Sequence, residues 1–427
     1  MEGYTVKIGV PTETATDEQR VALVPDAAAE LIEDGHQVIV ANGAGEGATF
    51  SDDDYESVGC EIADREAVFA EADIIFQVQA LGSVGEDVDP YSEGQVVVGL
   101  LGPYETTDEQ LETLADRDVS AFSLELIPRI SRSQSMDALS SQASLGGYQA
   151  TLMAAEELPK MFPMEMTAAG TIRPAKVLVI GAGVAGLKAI STAERLGSDT
   201  KGHDVRLEVK QEVESLGADF VELDLETEGS GDEEGYAVEM GEEFYAAQRE
   251  QMENVVPRMD VLITTAAIPG RPAPEIITSG MIEDMDEGSV VVDIAAPTGG
   301  NCEPTEAGET IVHDGVTIHG PMNLPSKVAH TASNQYANNL QNFLANLTDE
   351  DGELDFDFED EIIDSTLLTH DGTIRNPHID DSGDDGEADE EEASEDASGD
   401  AASETDEADE AATSDAAGDE GVVTDDA

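Results

Sequence analysis

Tryptophan is absent from the 427 residues, cysteine occurs twice, and only 19 lysines and arginines stand against 96 aspartates and glutamates. Each shortage excludes something. Cys60 and Cys302 lie far apart with no CxxC spacing, so neither a zinc motif nor a disulfide framework is available, and a reducing compartment fits. A formal charge of −77 repels phosphate backbones and anionic membrane surfaces at long range, which removes nucleic-acid binding and polybasic anchoring. The longest apolar stretch, around Val96 to Leu101, is far shorter than the ~20 residues that cross a bilayer. Met1 to Pro11 lack the basic and apolar regions of a signal peptide. The expectation is a soluble, cytoplasmic chain. The histidines show no metal-ligand spacing, and no metal site is expected.

What is present is enough apolar residue, 40%, to bury the cores of two or three domains. Residues Asp380 to Ala427 hold 22 of the 96 acids and no base, which leaves the first 379 residues at net −55. The tail, residues 379–427, is low-complexity Asp, Glu, Ala, Ser and Gly, and its composition cannot offset chain entropy by burial, so disorder is expected there. A body this acidic, with seven Lys against twelve Arg, resembles proteins that stay hydrated in concentrated salt.

The first third opens with a strand-like run, Thr5 to Val10, followed by Asp26 to Asp34 (helical), Gln37 to Ala41, Ala72 to Val78 and Gln95 to Leu100. Alternation of this kind predicts an α/β fold with a parallel sheet covered by helices. Asp137 to Phe162 reads as a long helix leaving this lobe. A second lobe starts with the strand Lys176 to Ile180 and a helix to about Leu196, with further strands at Phe220 to Leu223, Asp260 to Thr265 and Ser289 to Ile294. Thr310 to His319, with Asp314-Gly315 at its centre, reads as a β-hairpin. Glu226 to Gly241 reads either as a mobile loop or as a plain solvated linker. Helical spacing returns from Ala332 to Leu347. The expected division is a first lobe over 1–135 completed by about 331–378, a linking helix within 136–165, and a nucleotide-binding lobe over 166–330.

Gly181-x-Gly183-x-x-Gly186 follows a strand, opens a helix, and precedes Asp204 by 23 residues. Gly181 permits the tight turn, Gly183 admits a pyrophosphate to the backbone, and Gly186 lets helix and strand pack closely, while the helix N-terminus stabilises the anion. Asp204 accepts from ribose hydroxyls and repels a 2′-phosphate, which favours NAD over NADP, with Arg206 tempering that preference. His203 reads either as a ring that stacks on the adenine or, preferred, as an exposed strand-end histidine. A second constellation, Pro128 to Gln142, spends two of the few arginines, Arg129 and Arg132, within four residues. It reads either as a salt-bridged interdomain linker or as the mouth of a cleft, where Arg129, Gln134, Asp137 and Ser140 meet a ligand and the Gln134 carboxamide fixes a nicotinamide carboxamide.

The stretches Ile127 to Gln134, Met136 to Ala150 (MDALSSQASLGGYQA), Met166 to Gly197 (MTAAGTIRPAKVLVIGAGVAGLKAISTAERLG), Ile263 to Pro274 (ITTAAIPGRPAP) and Gly299 to Glu309 (GGNCEPTEAGE) closely resemble the NAD-binding component of proton-translocating nicotinamide nucleotide transhydrogenase, in its soluble alpha-subunit form. The resemblance covers Thr5 to His378. It implies two Rossmann-like, doubly wound lobes joined by long helices, with a cleft between them and NAD(H) in the second lobe. NADP(H) is then held on a partner subunit, beside a membrane proton-channel subunit that keeps this chain at the cytoplasmic face of the membrane. A homodimer formed partly through a protruding hairpin is also implied, and Thr310 to His319 is the candidate. By the same matching, Arg129, Ile130, Ser131, Arg132, Gln134 and Asp137 form a loop at the nicotinamide end, with Ser140 beside it. Tyr236 belongs to a loop that closes over nucleotide. Val184, Asp204, Val205, Arg206, Gly235, Gln248 and Ala267 line the cofactor site, with Ala267 in place of the family's usual Leu.

Alanine dehydrogenase shares the fold and the opening Ile8 to Pro25, and Arg20 matches its substrate-carboxylate arginine. Its Lys-x-Lys strand end is Gln77-Val78-Gln79 here, and its Leu-His pair falls at Leu101-Gly102. A non-enzymatic NAD sensor is a third reading. Hydride transfer between two nicotinamides moves no proton at the reacting carbons, so the residues above are expected to orient rather than to act as acids or bases.

The charge yields the first prediction. If the acidic body is an adaptation to salt, screening over ~3 Å near molar ionic strength relieves its self-repulsion, and dialysis into dilute buffer should unfold the chain, as followed by circular dichroism. Full stability without added salt would sink the idea.

Overall fold

Lys7–Val10 (KIGV), Val96–Leu100 (VVVGL) and Val290–Asp293 (VVVD) are buried at every position, as strands are when helices cover both faces of a parallel sheet. In the computed structural model, which describes residues 6–85, 88–225, 241–349 and 351–375, such strands make two open sheets. The first runs Glu61–Ala63, Gln37–Ala41, Lys7–Val10, Ile74–Gln79, Val96–Leu100, Ser120–Ser123, Leu367–His370, Thr373–Ile374. Its first six strands are parallel, and the last two join antiparallel. The second runs Asp219–Phe220, Asp199–His203, Lys176–Ile180, Val261–Thr264, Val290–Asp293, Val316–His319, Thr310–His313, antiparallel only at the last pair. Both sheets reverse their winding beside their first strand, and both therefore carry a topological switch point at the carboxyl ends of their strands.

The linking helix spans Ala138–Glu157. It begins where the Asp137 carboxylate accepts the Ser140 N–H at 2.8 Å and stops short of Phe162, because Pro159 drives Leu158 into extended backbone (φ −64°, ψ 125°). It packs backbone to backbone on the helix Val184–Leu196: a Cβ on Gly147 would lie 2.0 Å from the Ala185 carbonyl oxygen. The helix Ala329–Leu347 returns to the first lobe and buries Tyr336, Leu340 and Phe343 there. The hydroxyl of Tyr336 donates to the Gln77 carbonyl at 2.8 Å. The polar stretch after it supplies a short helix, Glu361–Thr366, and the two antiparallel strands.

The lobes meet at a buried ion pair. Arg20 donates through Nε and Nη2 to both oxygens of Glu18 (2.8 and 2.6 Å) and through Nη1 to the Gln142 carboxamide of the linking helix at 3.0 Å. Glu18 also accepts from Asn323 Nδ2 at 3.0 Å and from the Ser326 hydroxyl, on the segment that returns from the second lobe. Burial alone would raise the Glu18 carboxyl, but these donors, Arg20 above all, hold it below the ordinary carboxylate range.

The hairpin expected to protrude does not. Thr310–His313 and Val316–His319 turn through Asp314 and Gly315, both at positive φ, but Val316–His319 pairs in parallel with Val290–Asp293, so the hairpin is the edge of the second sheet. Among the described residues, the hairpin that joins neither sheet is Glu165–Thr167 with Gly170–Ile172, whose six residues are all exposed.

Two carboxylates occupy the strand ends of the first lobe. Glu13 accepts the N–H groups of Val78 (2.6 Å) and Gln79 (3.1 Å), and Glu125 accepts those of Leu101 (3.1 Å) and Gly102 (2.9 Å). Burial raises both, and it pushes Glu13 to about 8. Glu13 thus binds its proton more tightly folded than unfolded, and the stability this confers is full below pH ~4.3 and is lost as pH rises toward 8. Denaturant unfolding at constant ionic strength should show Glu13→Gln flattening the decline between pH 5 and 8 by on the order of 4 kcal/mol. A variant profile parallel to the wild type's would exclude the burial assigned to Glu13.

Candidate dinucleotide site

A cleft of about 710 Å³ separates the lobes and is lined from both, within the range that takes a cofactor. The second lobe's wall begins where Lys176–Ile180 ends. Gly181 turns at φ +91°, and a Cβ there would lie 2.5 Å from Thr265 Oγ1. A Cβ on Gly186 would lie 1.7 Å from the Gly181 carbonyl oxygen, which is the close helix-to-strand approach its position requires. Gly183 differs: a Cβ there would meet nothing within 4 Å, and Gly183 caps its helix with no side-chain hydrogen bond. The first amides of Val184–Leu196 therefore open on free space in the cleft, as a pyrophosphate requires.

At the end of Asp199–His203 stands Asp204. Its Oδ2 accepts the Ala182 N–H (2.7 Å) and Arg206 Nη2 (2.8 Å), and its Oδ1 accepts the Arg206 N–H and Nε, both at 2.9 Å. Burial opposes ionisation, yet the Arg206 bonds outweigh it and hold the carboxyl below its ordinary range. With four donors the carboxylate is full. Asp204 cannot accept both ribose hydroxyls as it stands, since they must displace the Arg206 side chain. His203 is buried rather than exposed. Its Nδ1 meets the Val221 carbonyl at 2.8 Å, which leaves Nε2 to accept from Gln248 Nε2 at 3.1 Å, and burial lowers its pKa, so the ring is neutral. The other amide atom, Gln248 Oε1, is buried in the cleft wall without a protein partner, an acceptor left for a ligand.

Beyond the switch point the wall is Thr265 to Gly270. Thr265 Oγ1 donates to the Gly181 carbonyl at 3.1 Å, and Asn301 clasps residue 266 at both ends, accepting its N–H (3.0 Å) and donating to its carbonyl (2.8 Å). Asn301 is set in turn by Asp293, which accepts its N–H at 2.8 Å.

From the first lobe and the linking helix, Arg129 and Ser140 face the cleft with Gln79, Gly102, Tyr104 and Glu125. The loop between Arg129 and Ser140 divides. Ile130 packs on the first-lobe core. Arg132 forms a two-bonded ion pair with Asp360 and reaches Asn346 at 3.4 Å, so it anchors the loop to the first lobe instead of lining the cleft. Asp137 caps the linking helix, and Ser131 and Gln134 are exposed and outside the lining. Gly181, Gly183, Val184, Asp204, Val205, Arg206, Gln248 and Ala267 all line it. Gly186 lies behind the wall. Gly235, Tyr236 and the acidic tail lie outside the described residues. Sequence reasoning misses Tyr104, Glu125 and Thr265. Their signal is positional only, at carboxyl ends of strands.

Residues 9–146 match the family described as alanine dehydrogenase/PNT, N-terminal domain, and residues 150–377 match its C-terminal domain. The chain is 44% identical over 380 residues to the first portion of NAD(P) transhydrogenase subunit alpha of Rhodospirillum rubrum, covering 88% of this chain and 99% of that one. Among solved structures, the transhydrogenase from Sinorhizobium meliloti superposes with a TM-score of 0.76 at 39% identity, covering 86% of this chain and 99% of the other. The alanine dehydrogenase of Halomonas elongata is 31% identical over 378 residues, 86% of this chain and 94% of that one. The chain therefore belongs to the alanine dehydrogenase/PNT family, among the NAD(P) transhydrogenase alpha subunits, with the alanine dehydrogenases as distant relatives.

Proposed function

We propose that this chain is the NAD(H)-binding subunit of a proton-translocating NAD(P) transhydrogenase, passing hydride from NADH to NADP⁺ held on a partner subunit while a membrane subunit carries the proton. The observation that carries the reading is the uncapped helix N-terminus at Gly183, open to a cleft whose opposite wall presents Arg129 and Ser140. Bound NADH supplies the hydride, and the chain's own task is to hold and orient it. The first amides of Val184–Leu196 hold the pyrophosphate, Asp204 takes the ribose as Arg206 yields, and Gln248 Oε1 takes a donor of the adenosine half. Arg129 and Ser140 orient the nicotinamide, with Gln134, Asp137 and Tyr236 as further orienting groups. An amino acid dehydrogenase would need Arg20 for its substrate carboxylate. Here Glu18 and Gln142 occupy that guanidinium.

The exposed hairpin Glu165–Ile172 takes over the dimerising role expected of Thr310 to His319. Met164 just before it and Met166 within it are 59% and 78% exposed, and burying such side chains against a second copy is favourable by about 2 kcal/mol each. Association with the membrane then comes through the partner subunits. Among the described residues no helix is long and apolar enough to cross a membrane.

Two measurements test these readings. Titration of NADH and NADPH into the protein in high salt, followed by nicotinamide fluorescence, should give NADH at least ~10-fold tighter binding, the discrimination expected of an acid at the ribose. Equal binding of both, or of neither, would overturn the assignment. NADH-selective protein that brings down no membrane partner would favour a sensor. For the dimer, sedimentation should show Met166→Glu shifting the chain toward monomer, and an unchanged sedimentation coefficient would remove the hairpin from the interface.

A further inference from the structure

The Tyr104 side chain crosses the cleft. Tyr104 follows the first-lobe strand Val96–Leu100, in a turn fixed on three sides. The Glu105 and Thr106 N–H groups donate to the Gly102 carbonyl (3.1 and 2.9 Å), the Gly102 N–H donates to Glu125, and a Cβ on Gly102 would lie 2.3 Å from the Ser83 nitrogen. Opposite it, in the second lobe, Ile268-Pro269-Gly270-Arg271 forms a turn in which the Arg271 N–H donates to the Ile268 carbonyl at 3.2 Å. Pro269 takes the first central position and Gly270, at φ +69°, the second, the arrangement of a type II turn. A Cβ on Gly270 would lie 2.6 Å from Tyr104 Cδ1, 2.7 Å from Cε1 and 3.1 Å from Cγ. The ring therefore fills the notch that the missing side chain leaves. Both residues line the cleft.

The place of the contact gives it meaning. The dinucleotide fold consists of two mononucleotide halves that meet at the switch point. Asp204 marks the adenosine half, at the end of Asp199–His203, while Gly270 follows Val261–Thr264 on the other half. We propose that Tyr104 is a positioning residue for the nicotinamide half of the site: keyed into Gly270, it sets the spacing of the two lobes where the reacting ring lies. This rests on the NAD(H) reading above and adds a residue that it does not contain. The mechanism is preorganisation. With the ring in place, the nicotinamide enters a gap already of the right width, and without it the gap must be ordered at the expense of binding.

ADP-ribose shares the adenosine half of NADH and lacks the nicotinamide, so the pair of ligands isolates the effect. By calorimetry in high salt, Tyr104→Ala should weaken NADH by ~10-fold and leave ADP-ribose within roughly twofold, while Tyr104→Phe, which keeps the ring, stays within roughly twofold for both. A residue that merely supported the fold would weaken both ligands together. Gly270→Ala tests the same contact from the other lobe and should reproduce the selective loss, which keeps the proposal testable should Tyr104→Ala fail to fold. Unchanged NADH affinity in Tyr104→Ala, equal loss of both ligands, or failure of Phe to preserve binding would overturn it. A wild-type chain that binds ADP-ribose but not NADH would sink the NAD(H) reading and this proposal with it. A wild type that binds NADH beside an unaffected Tyr104→Ala sinks this proposal alone.

Discussion

The cleft exists because the Glu18–Arg20 pair holds its two sides at a fixed distance. Both side chains are almost fully buried, and each charge taken from water costs several kcal/mol unless its bonding capacity is filled. Here it is filled by groups from separate parts of the chain: Gln142 on the linking helix, and Asn323 and Ser326 on the return from the second lobe. No one of these segments can move without taking a hydrogen bond from a buried charge, which costs more than the loss of a neutral one. The tight approach of Gly147 to Ala185 adds a steric floor below the same junction. Between them, electrostatics and close packing give the nucleotide cleft a defined width before any ligand arrives.

The two lobes share a winding but not a role, and the difference lies in what meets the amides at the strand ends. In the second lobe those amides face space, at Gly183 and the first turn of its helix. In the first lobe Glu13 and Glu125 already accept from Val78, Gln79, Leu101 and Gly102. Internal carboxyl groups thus already take up the amides at the ends of two central strands of the first lobe. The first lobe contributes one wall of the cleft and the second lobe the other.

Much of this is legible in the sequence. Lys176–Ile180, five consecutive apolar or long-stemmed residues before a glycine triplet, can be read with its observed bounds, because burial on both faces leaves little choice of residue there. Ser120–Ser123 cannot, since its serines find hydrogen bonds inside the first lobe and send no hydrophobic signal. Glu13 and Glu125 are invisible among 96 acids, because a buried carboxylate and a solvated one have the same letter. Arg129 and Arg132 read alike, yet one faces the cleft and the other is held by Asp360. The side on which a loop residue emerges depends on its partner, and Asp360 is too distant in sequence to be paired by eye. The same holds for the hairpins, where Asp314-Gly315 advertises the turn while the exposed Glu165–Ile172 carries no such mark.

The return of the chain to its first lobe has a consequence for biosynthesis. Tyr336, Leu340 and Phe343 complete the first core, and Leu367–His370 covers the otherwise open edge of Ser120–Ser123. All of them leave the ribosome after every strand of the second sheet. Domains usually fold in the order in which they emerge, but here the nascent amino-terminal portion must wait with an unpaired strand edge and an unfilled core while the second lobe closes. Its high negative charge then acts at a stage the finished structure no longer shows, keeping unfinished chains apart through mutual repulsion. The amino-terminal lobe is the first to be made and the last to be finished.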